Sequence, residues 1–195
     1  MRVIAGKYRS RPLRSLRGMD IRPTSDRLRE TLFNVLTAGN PQALEGSVWL
    51  DLFAGTGAVG IEALSRGAKQ VYFVDTSARA TELIQNNLQN LGIAEGFTVM
   101  RDDLSRAVWR LEREHVPADV VFLDPPYQMR DAYGETLRML AHSSLIWAMS
   151  LVIAEHEKKF DPGEEFGPLR RFRKVAQGST AISLYRIGGT PDLTR

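Results

Sequence analysis

The chain has 195 residues, 43% of them hydrophobic, enough to bury one substantial core. It has no cysteine, which removes disulfides, thiolate nucleophiles and zinc-thiolate sites together; its three histidines, His115, His142 and His156, lack ligand spacing and read as surface or packing residues, and no metal site is expected. The net charge is +3, yet residues 1–30 hold nine Lys/Arg against three acids, so the other 165 residues sum to −3.

A basic arm on a slightly acidic body is an electrostatic footprint for a polyanion. Eight of the nine bases are arginine, which forks onto phosphate and stacks on bases better than lysine does. No apolar run approaches the roughly 20 residues that a membrane span requires. The start, Met1 to Lys7, lacks the apolar stretch of a secretory signal. The expectation is a soluble, cytoplasmic protein acting as a monomer, away from membranes.

Residues 2–8 and the stretch before Arg22 read as short strands or loops. Leu28, Leu32, Phe33, Val35 and Leu36 have near-helical spacing, which predicts a helix over 25–37. Thr24 or Ser25 is placed to cap it, with Pro23 just before, and Gly39-Asn40-Pro41 ends it. A division near residue 40 separates a small basic extension, 1–40, from the main domain, 41–195. From residue 48 the pattern alternates. Strands are predicted at 48–53, 71–75, 97–101, 119–124 and 150–155. Helices are predicted between them, near 57–66, 77–91, 104–114 and 131–141. Strands alternating with helices imply parallel βαβ units and a sheet covered on both faces. Arg171–Val175 and Ala181–Arg186 then read as two strands around a Gly178-Ser179 turn, an antiparallel hairpin. That makes seven strands.

Two stretches carry chemistry. The first strand runs into Ala54-Gly55-Thr56-Gly57-Ala58-Val59-Gly60, where Gly55, Gly57 and Gly60 fit the G-x-G-x-x-G turn that lets backbone approach a ligand. The next strand ends at Asp75, twenty residues after Gly55, where an acid can hold the ribose hydroxyls of NAD or of S-adenosylmethionine. The second stretch is Asp124-Pro125-Pro126-Tyr127, closing the apolar run Val120 to Leu123. The prolines stiffen the backbone and leave carbonyls free. A carboxylate and a carbonyl aimed together suit a planar NH2 group, and the Tyr127 ring can cover the face of a base.

Asp51 to Gly60, with an acid four positions before the first glycine, resembles the S-adenosylmethionine motif of class I methyltransferases. Asp124–Tyr127 resembles the catalytic motif of enzymes that methylate exocyclic amines of nucleobases. Arg22 to Asn34, the start Arg2-Val-Ile-Ala-Gly6 and Gly178-Ser-Thr180 before Tyr185 are similar to the 16S ribosomal RNA (guanine(966)-N2)-methyltransferase family. The resemblance covers essentially the whole chain. It implies an α/β, Rossmann-like class I sheet, mostly parallel with the C-terminal antiparallel hairpin. It also implies transfer of a methyl group from S-adenosyl-L-methionine to the N2 amine of a guanine in 16S ribosomal RNA, on the small subunit or an assembly intermediate. Cofactor positions are then Asp51, Phe53, Ala54, Gly55, Gly57 and Asp75, with Asp103 ahead of Asp102 for the adenine amino group. Asp124, Pro125, Pro126 and Tyr127 are the catalytic set, and Arg9, Arg11, Arg22, Thr24 and Arg29 the RNA contacts.

Three other readings compete. A nicotinamide-dependent oxidoreductase explains the glycine loop and Asp75 but leaves Asp124–Tyr127 and the arm unused. A non-catalytic RNA-binding assembly factor would show losses at the loop or at Asp124. A methyltransferase of another RNA or DNA base shares the chemistry, but DNA enzymes usually add a recognition region, and no insertion here is long enough for one.

Overall fold

The computed structural model describes residues 1–15 and 26–188. Helix α1 (Asp26–Leu36) leads into β1 (Val48–Leu52), α2 (Ala58–Ser65), β2 (Gln70–Asp75), α3 (Ala78–Leu91) and β3 (Phe97–Arg101). There follow α4 (Leu104–Arg113), β4 (Val120–Leu123), α5 (Arg130–Ala141), β5 (Leu151–Glu157), β6 (Glu165–Phe166), β7 (Leu169–Gln177) and β8 (Thr180–Ile187). One sheet contains all the strands, in the order β3-β2-β1-β4-β5-β8-β7-β6. The first five strands are parallel, and β8 inserts antiparallel between β5 and β7. The eighth strand, where seven were expected, is β6: two residues are too few to show an alternating pattern. The proposed caps Thr24 and Ser25 lie outside the described residues.

The local causes are plain. All four residues of β4 are buried, as a strand covered on both faces requires. Helix α3 starts where the Ser77 hydroxyl accepts from the Ala80 N–H and stops at Gly92, whose φ of 72° ends the helix in the left-handed region. Two cores result. The arm, α1, α2 and α3 cover one face of the sheet, with Phe33 stacked on Trp49 at 5.5 Å between ring centroids. Helices α4 and α5 cover the other.

The N-terminal arm is pinned by its backbone. The Ile4 and Ala5 N–H groups donate to the buried Glu62 carboxylate of α2 at 2.8 and 3.0 Å. Lys7 N–H donates to the Ser65 carbonyl at 2.7 Å, and Tyr8 N–H to the Ser65 hydroxyl at 3.0 Å. Further on, Asn87 of α3 accepts from Arg14 N–H at 2.8 Å and returns a bond to the Arg14 carbonyl at 3.2 Å. Val3 and Leu13 sit in the same core as Phe33 and Trp49. Of the short strands or loops expected here, the described part, residues 1–15, is loop with an isolated bridge from Arg2 to Pro12. At the opposite end of the sheet β6 pairs only with Leu169 and Arg170, which leaves the rest of β7, with exposed Arg173 and Lys174, as an edge. Among the described residues no helix is long and apolar enough to cross a membrane.

Gly60 sets how closely α2 lies on the sheet. A Cβ there would fall 2.3 Å from Phe73 Cε1 and 2.8 Å from Val71 Cγ1. Gly60→Ala should therefore cost about 1–3 kcal/mol, the usual range for overpacking, read as a lower urea midpoint at unchanged slope. A wild-type midpoint would show that the helix has room to shift.

Candidate active site

The strand order reverses between β1 and β4, because β1 continues outward through β2 and β3 while β4 continues through β5. Open α/β sheets bind ligands at such a switch point, beyond the carboxyl ends of the strands. Leu52 is level with Leu123, so the chain after β1 (Phe53 onward) and the chain after β4 (Asp124 onward) leave the sheet side by side, one strand spacing of about 4.8 Å apart. Leu52 is also level with Val74, which puts Asp75 on the other flank of the glycine turn. The fold thus brings the two sequence motifs to one crevice.

The turn itself is strained and braced. Phe53 has φ 60°, a region a bulky side chain rarely enters, and Gly55 and Gly57 have φ 54° and 73°. Gly57 has no alternative, since a Cβ there would also approach Ile84 Cγ1 to 3.0 Å. Each glycine N–H has an internal acceptor. Gly55 donates to Asp75 Oδ2 at 2.9 Å, Gly57 to the Ala54 carbonyl at 2.7 Å and Gly60 to Asp51 Oδ2 at 2.9 Å. Ala54 N–H donates to the Val74 carbonyl at 3.0 Å, and the Thr56 carbonyl accepts from Asn87 at 3.1 Å. In dinucleotide sites such N–H groups face a pyrophosphate. Here two of the three end on side-chain carboxyls, and the turn carries no Lys or Arg, so it suits a cation and not an anion.

Each candidate acid has a definite place. Asp51 is 2% exposed beneath the turn, where it holds Gly60 and hence the start of α2; it acts on the loop from below. Burial pushes its carboxyl up to about 8, against the pull of the Gly60 N–H and with a push from Asp75. Asp75 accepts from Gly55 and, through Oδ1, from Ser77 N–H at 2.8 Å, yet a carboxylate has about four acceptor sites and keeps capacity for hydroxyls. Asp103 caps α4, accepting from Arg106 N–H at 3.0 Å and pairing with its Nε at 3.2 Å. Asp102 accepts from Asp103 N–H at 3.0 Å. Both lie one strand beyond Asp75, whose register partner is Arg101.

On the β4 side, Asp124 and Tyr127 are half-buried and Pro125 is buried. The Pro126 carbonyl closes a turn by accepting from Met129 N–H at 2.7 Å. The Pro125 carbonyl accepts a long bond, 3.4 Å, from the hydroxyl of Tyr133 on α5. Burial, with the charges of Asp124 and Tyr127 nearby, raises the Tyr133 hydroxyl far above its usual value, so it remains a donor. Sequence reading passed over Tyr133; the available signal was an aromatic with a polar tip in the first turn of the helix after the motif. It also passed over Asn87, a polar residue on the apolar stripe of α3.

The RNA candidates divide. Arg9 and Arg11 are exposed, with one Arg11 bond to the Asn90 carbonyl at 3.0 Å. Arg22 and Thr24 lie outside the described residues. Arg29 requires correction as a phosphate contact. It is fully buried, and its guanidinium donates to the Arg2 carbonyl at 2.7 Å, to Asp26 at 2.6 Å and to the Ala58 carbonyl at 3.3 Å. The family resemblance implied an RNA contact here, but the arm folds back over this side of α1 and covers it.

Comparison with known proteins agrees with this geometry. The family model described as "Conserved hypothetical protein 95" matches residues 1–186. A putative rRNA methyltransferase, YlbH, of Bacillus subtilis is 33% identical over 97% of this chain and 100% of its own. Ribosomal RNA small subunit methyltransferase D of Haemophilus influenzae is 35% identical over 81% of this chain and 79% of its own. The chain belongs to this family of class I ribosomal RNA methyltransferases. A solved structure, the putative methyltransferase yhhF from Escherichia coli, superposes with a TM-score of 0.79 at 29% identity, covering 96% of this chain and 97% of that one. S-adenosyl-L-methionine is the cofactor of the class. The residues fit it: a Cβ at Gly55 would meet only the Phe53 carbonyl, 3.8 Å away, so the turn opens onto free space, and the flanking acids suit hydroxyl and amino donors.

Asp51 gives a test of the bracing. Between the ordinary carboxylate value and about 8 the folded chain binds a proton that the unfolded chain has released, so stability falls as pH rises through that window. Asp51→Asn keeps an acceptor for Gly60 and should lose clearly less stability than wild type between pH 5 and pH 8. Parallel urea midpoints for the two proteins would refute the raised value.

Proposed function

We propose that the chain methylates the exocyclic N2 amine of a guanine in small-subunit ribosomal RNA. The observation that carries this reading is the juxtaposition across the β1–β4 crevice of a cation-suited glycine turn with Asp124-Pro125-Pro126-Tyr127. The relatives named for ribosomal RNA support the substrate class, and the exposed arginines of the arm support a polyanionic one.

When bound, S-adenosyl-L-methionine supplies an electrophilic sulfonium methyl. Asp75 would accept from its ribose hydroxyls, Asp103 or Asp102 from its adenine amino group, and the Phe53–Gly57 backbone would lie along its methionine end. The guanine amine is a poor nucleophile because its lone pair is delocalised into the ring. The Asp124 carboxylate and the Pro125 carbonyl would each accept one of its two N–H groups, fixing the nitrogen and favouring a more tetrahedral geometry. The Asp124 charge would also offset the positive charge that develops on nitrogen. That cation is acidic enough to lose its proton without a strong base. Tyr127 would stack on the base, and because N2 of a paired guanine lies within the duplex, the target base is unpaired or flipped. Arg9 and Arg11 would hold phosphates without reading sequence.

Mass mapping of ribosomal RNA from cells with and without the protein tests the whole reading; an unchanged guanine methylation pattern would overturn it. Asp124→Ala should nearly abolish transfer while calorimetric affinity for S-adenosyl-L-methionine stays within a few-fold; near-normal turnover would remove Asp124 from the mechanism. Tyr127→Phe should keep most activity and Tyr127→Ala should not, and two equally dead variants would show that the hydroxyl matters. Asp75→Ala should weaken cofactor binding by about 1–3 kcal/mol, the usual cost of a lost hydrogen bond to a charged group. Unchanged affinity would leave Asp75 with its loop-bracing role alone.

A further inference from the structure

Helix α4 is sharply two-sided. Leu104, Ala107, Val108 and Leu111 face the sheet, and Arg106, Trp109, Arg110 and Arg113 recur at helical spacing on the outer face. Trp109 is 57% exposed, an unusual position for the largest apolar side chain, which gains most from burial. The Arg113 guanidinium lies over the Trp109 ring at 4.8 Å from its centroid. Asp103 pairs with Arg106, but neither Arg110 nor Arg113 has an ion pair among the described residues. The one acid of the helix, Glu112, is turned aside to accept from Ser143 and Ser144 at 2.7 and 3.1 Å. From Arg106 to Arg113 the stripe runs about 10 Å along the helix.

We infer that this face of α4 is a second RNA contact, with Trp109 stacking on an unpaired base and Arg110 and Arg113 neutralising the adjoining phosphates. The inference rests on the ribosomal RNA reading given above. Charge decides the partner: two unpaired arginines flanking an exposed indole match a polyanion bearing aromatic bases, whereas an apolar protein groove would leave both cations buried without partners. Position agrees. Helix α4 begins just after its cap Asp103, beyond the carboxyl end of β3, and packs on the face opposite the arm. RNA around the target base would therefore meet cationic surface on both sides of the sheet.

The test is binding of the full-length protein to purified small ribosomal subunits over a range of salt concentrations. Arg110→Gln/Arg113→Gln should lower the slope of log affinity against log salt by about 1.4–1.8, two phosphates at about 0.7–0.9 each. Trp109→Ala should weaken binding by roughly tenfold or more, the stacking range for one base, with little change in slope. Thermal stabilisation by S-adenosyl-L-methionine should be unchanged in all variants, because none touches the cofactor crevice. Wild-type slope and affinity in the double variant would overturn the assignment. So would a loss with Trp109→Ala alone, which would mark a protein-docking face. If wild-type protein leaves the subunits unmethylated, the function proposed above fails; if wild type methylates them and the variants bind equally well, only the role of α4 fails.

Discussion

The acids at the carboxyl ends of β1 and β2 hold the glycine turn, and the rest of the site depends on that grip. Asp51 takes the N–H of Gly60 and Asp75 that of Gly55. Between them they keep Phe53 at a positive φ that costs on the order of 1–3 kcal/mol where nothing compensates. The turn is held by its own hydrogen bonds to these acids and to the Ala54 and Val74 carbonyls. Because these donors are already engaged, a phosphate would find few to accept from.

The sheet's order converts this local device into a site. Only the reversal between β1 and β4 sets the turn beside Asp124, and the register of Leu52 with Leu123 fixes how far each projects. The prolines after Asp124 keep that projection stiff. Tyr133, from the helix that follows, reaches back to the Pro125 carbonyl and ties the position of the motif to the core under α5. Asn87 does the corresponding work on the other face, joining the arm at Arg14 to the turn at Thr56. Displacement of either helix would be felt at the crevice.

Much of this was legible in the residues, for physical reasons that also mark where legibility stops. The parallel strands announce themselves because burial on both faces leaves near-continuous apolar runs, and each helix from α2 onward falls within a residue or two of its predicted ends. The glycine turn and Asp124–Tyr127 are local patterns, so sequence order was enough to find them. Their adjacency was not legible, because alternation of strands and helices leaves the strand order open and only the observed order sets β1 beside β4. Strand β6 was invisible, since two residues have no period. Arg29 was misread because its environment is made by residues 1–15 and by α2, distant in sequence. Glu62 anchors the arm across 58 residues, a pairing that no window along the chain displays. The same distance concealed that the basic arm is fixed through its backbone while Arg9 and Arg11 remain exposed.

The antiparallel insertion of β8 has a consequence for how the molecule is made. Strands β1 to β5 and their helices are complete once residue 157 has been synthesised, but β5 then presents an open apolar edge, Leu151 to Ala154, with no neighbour on its outer side. That edge is closed only by residues 180–187, which must slot between β5 and β7. Until that closure the folding chain carries an unpaired apolar strand at the middle of its future sheet. The finished protein shows no trace of that hazard, since its own final edge on β7 carries Arg173 and Lys174. Chaperone demand and inclusion-body formation should be governed by how quickly the closing hairpin docks on β5.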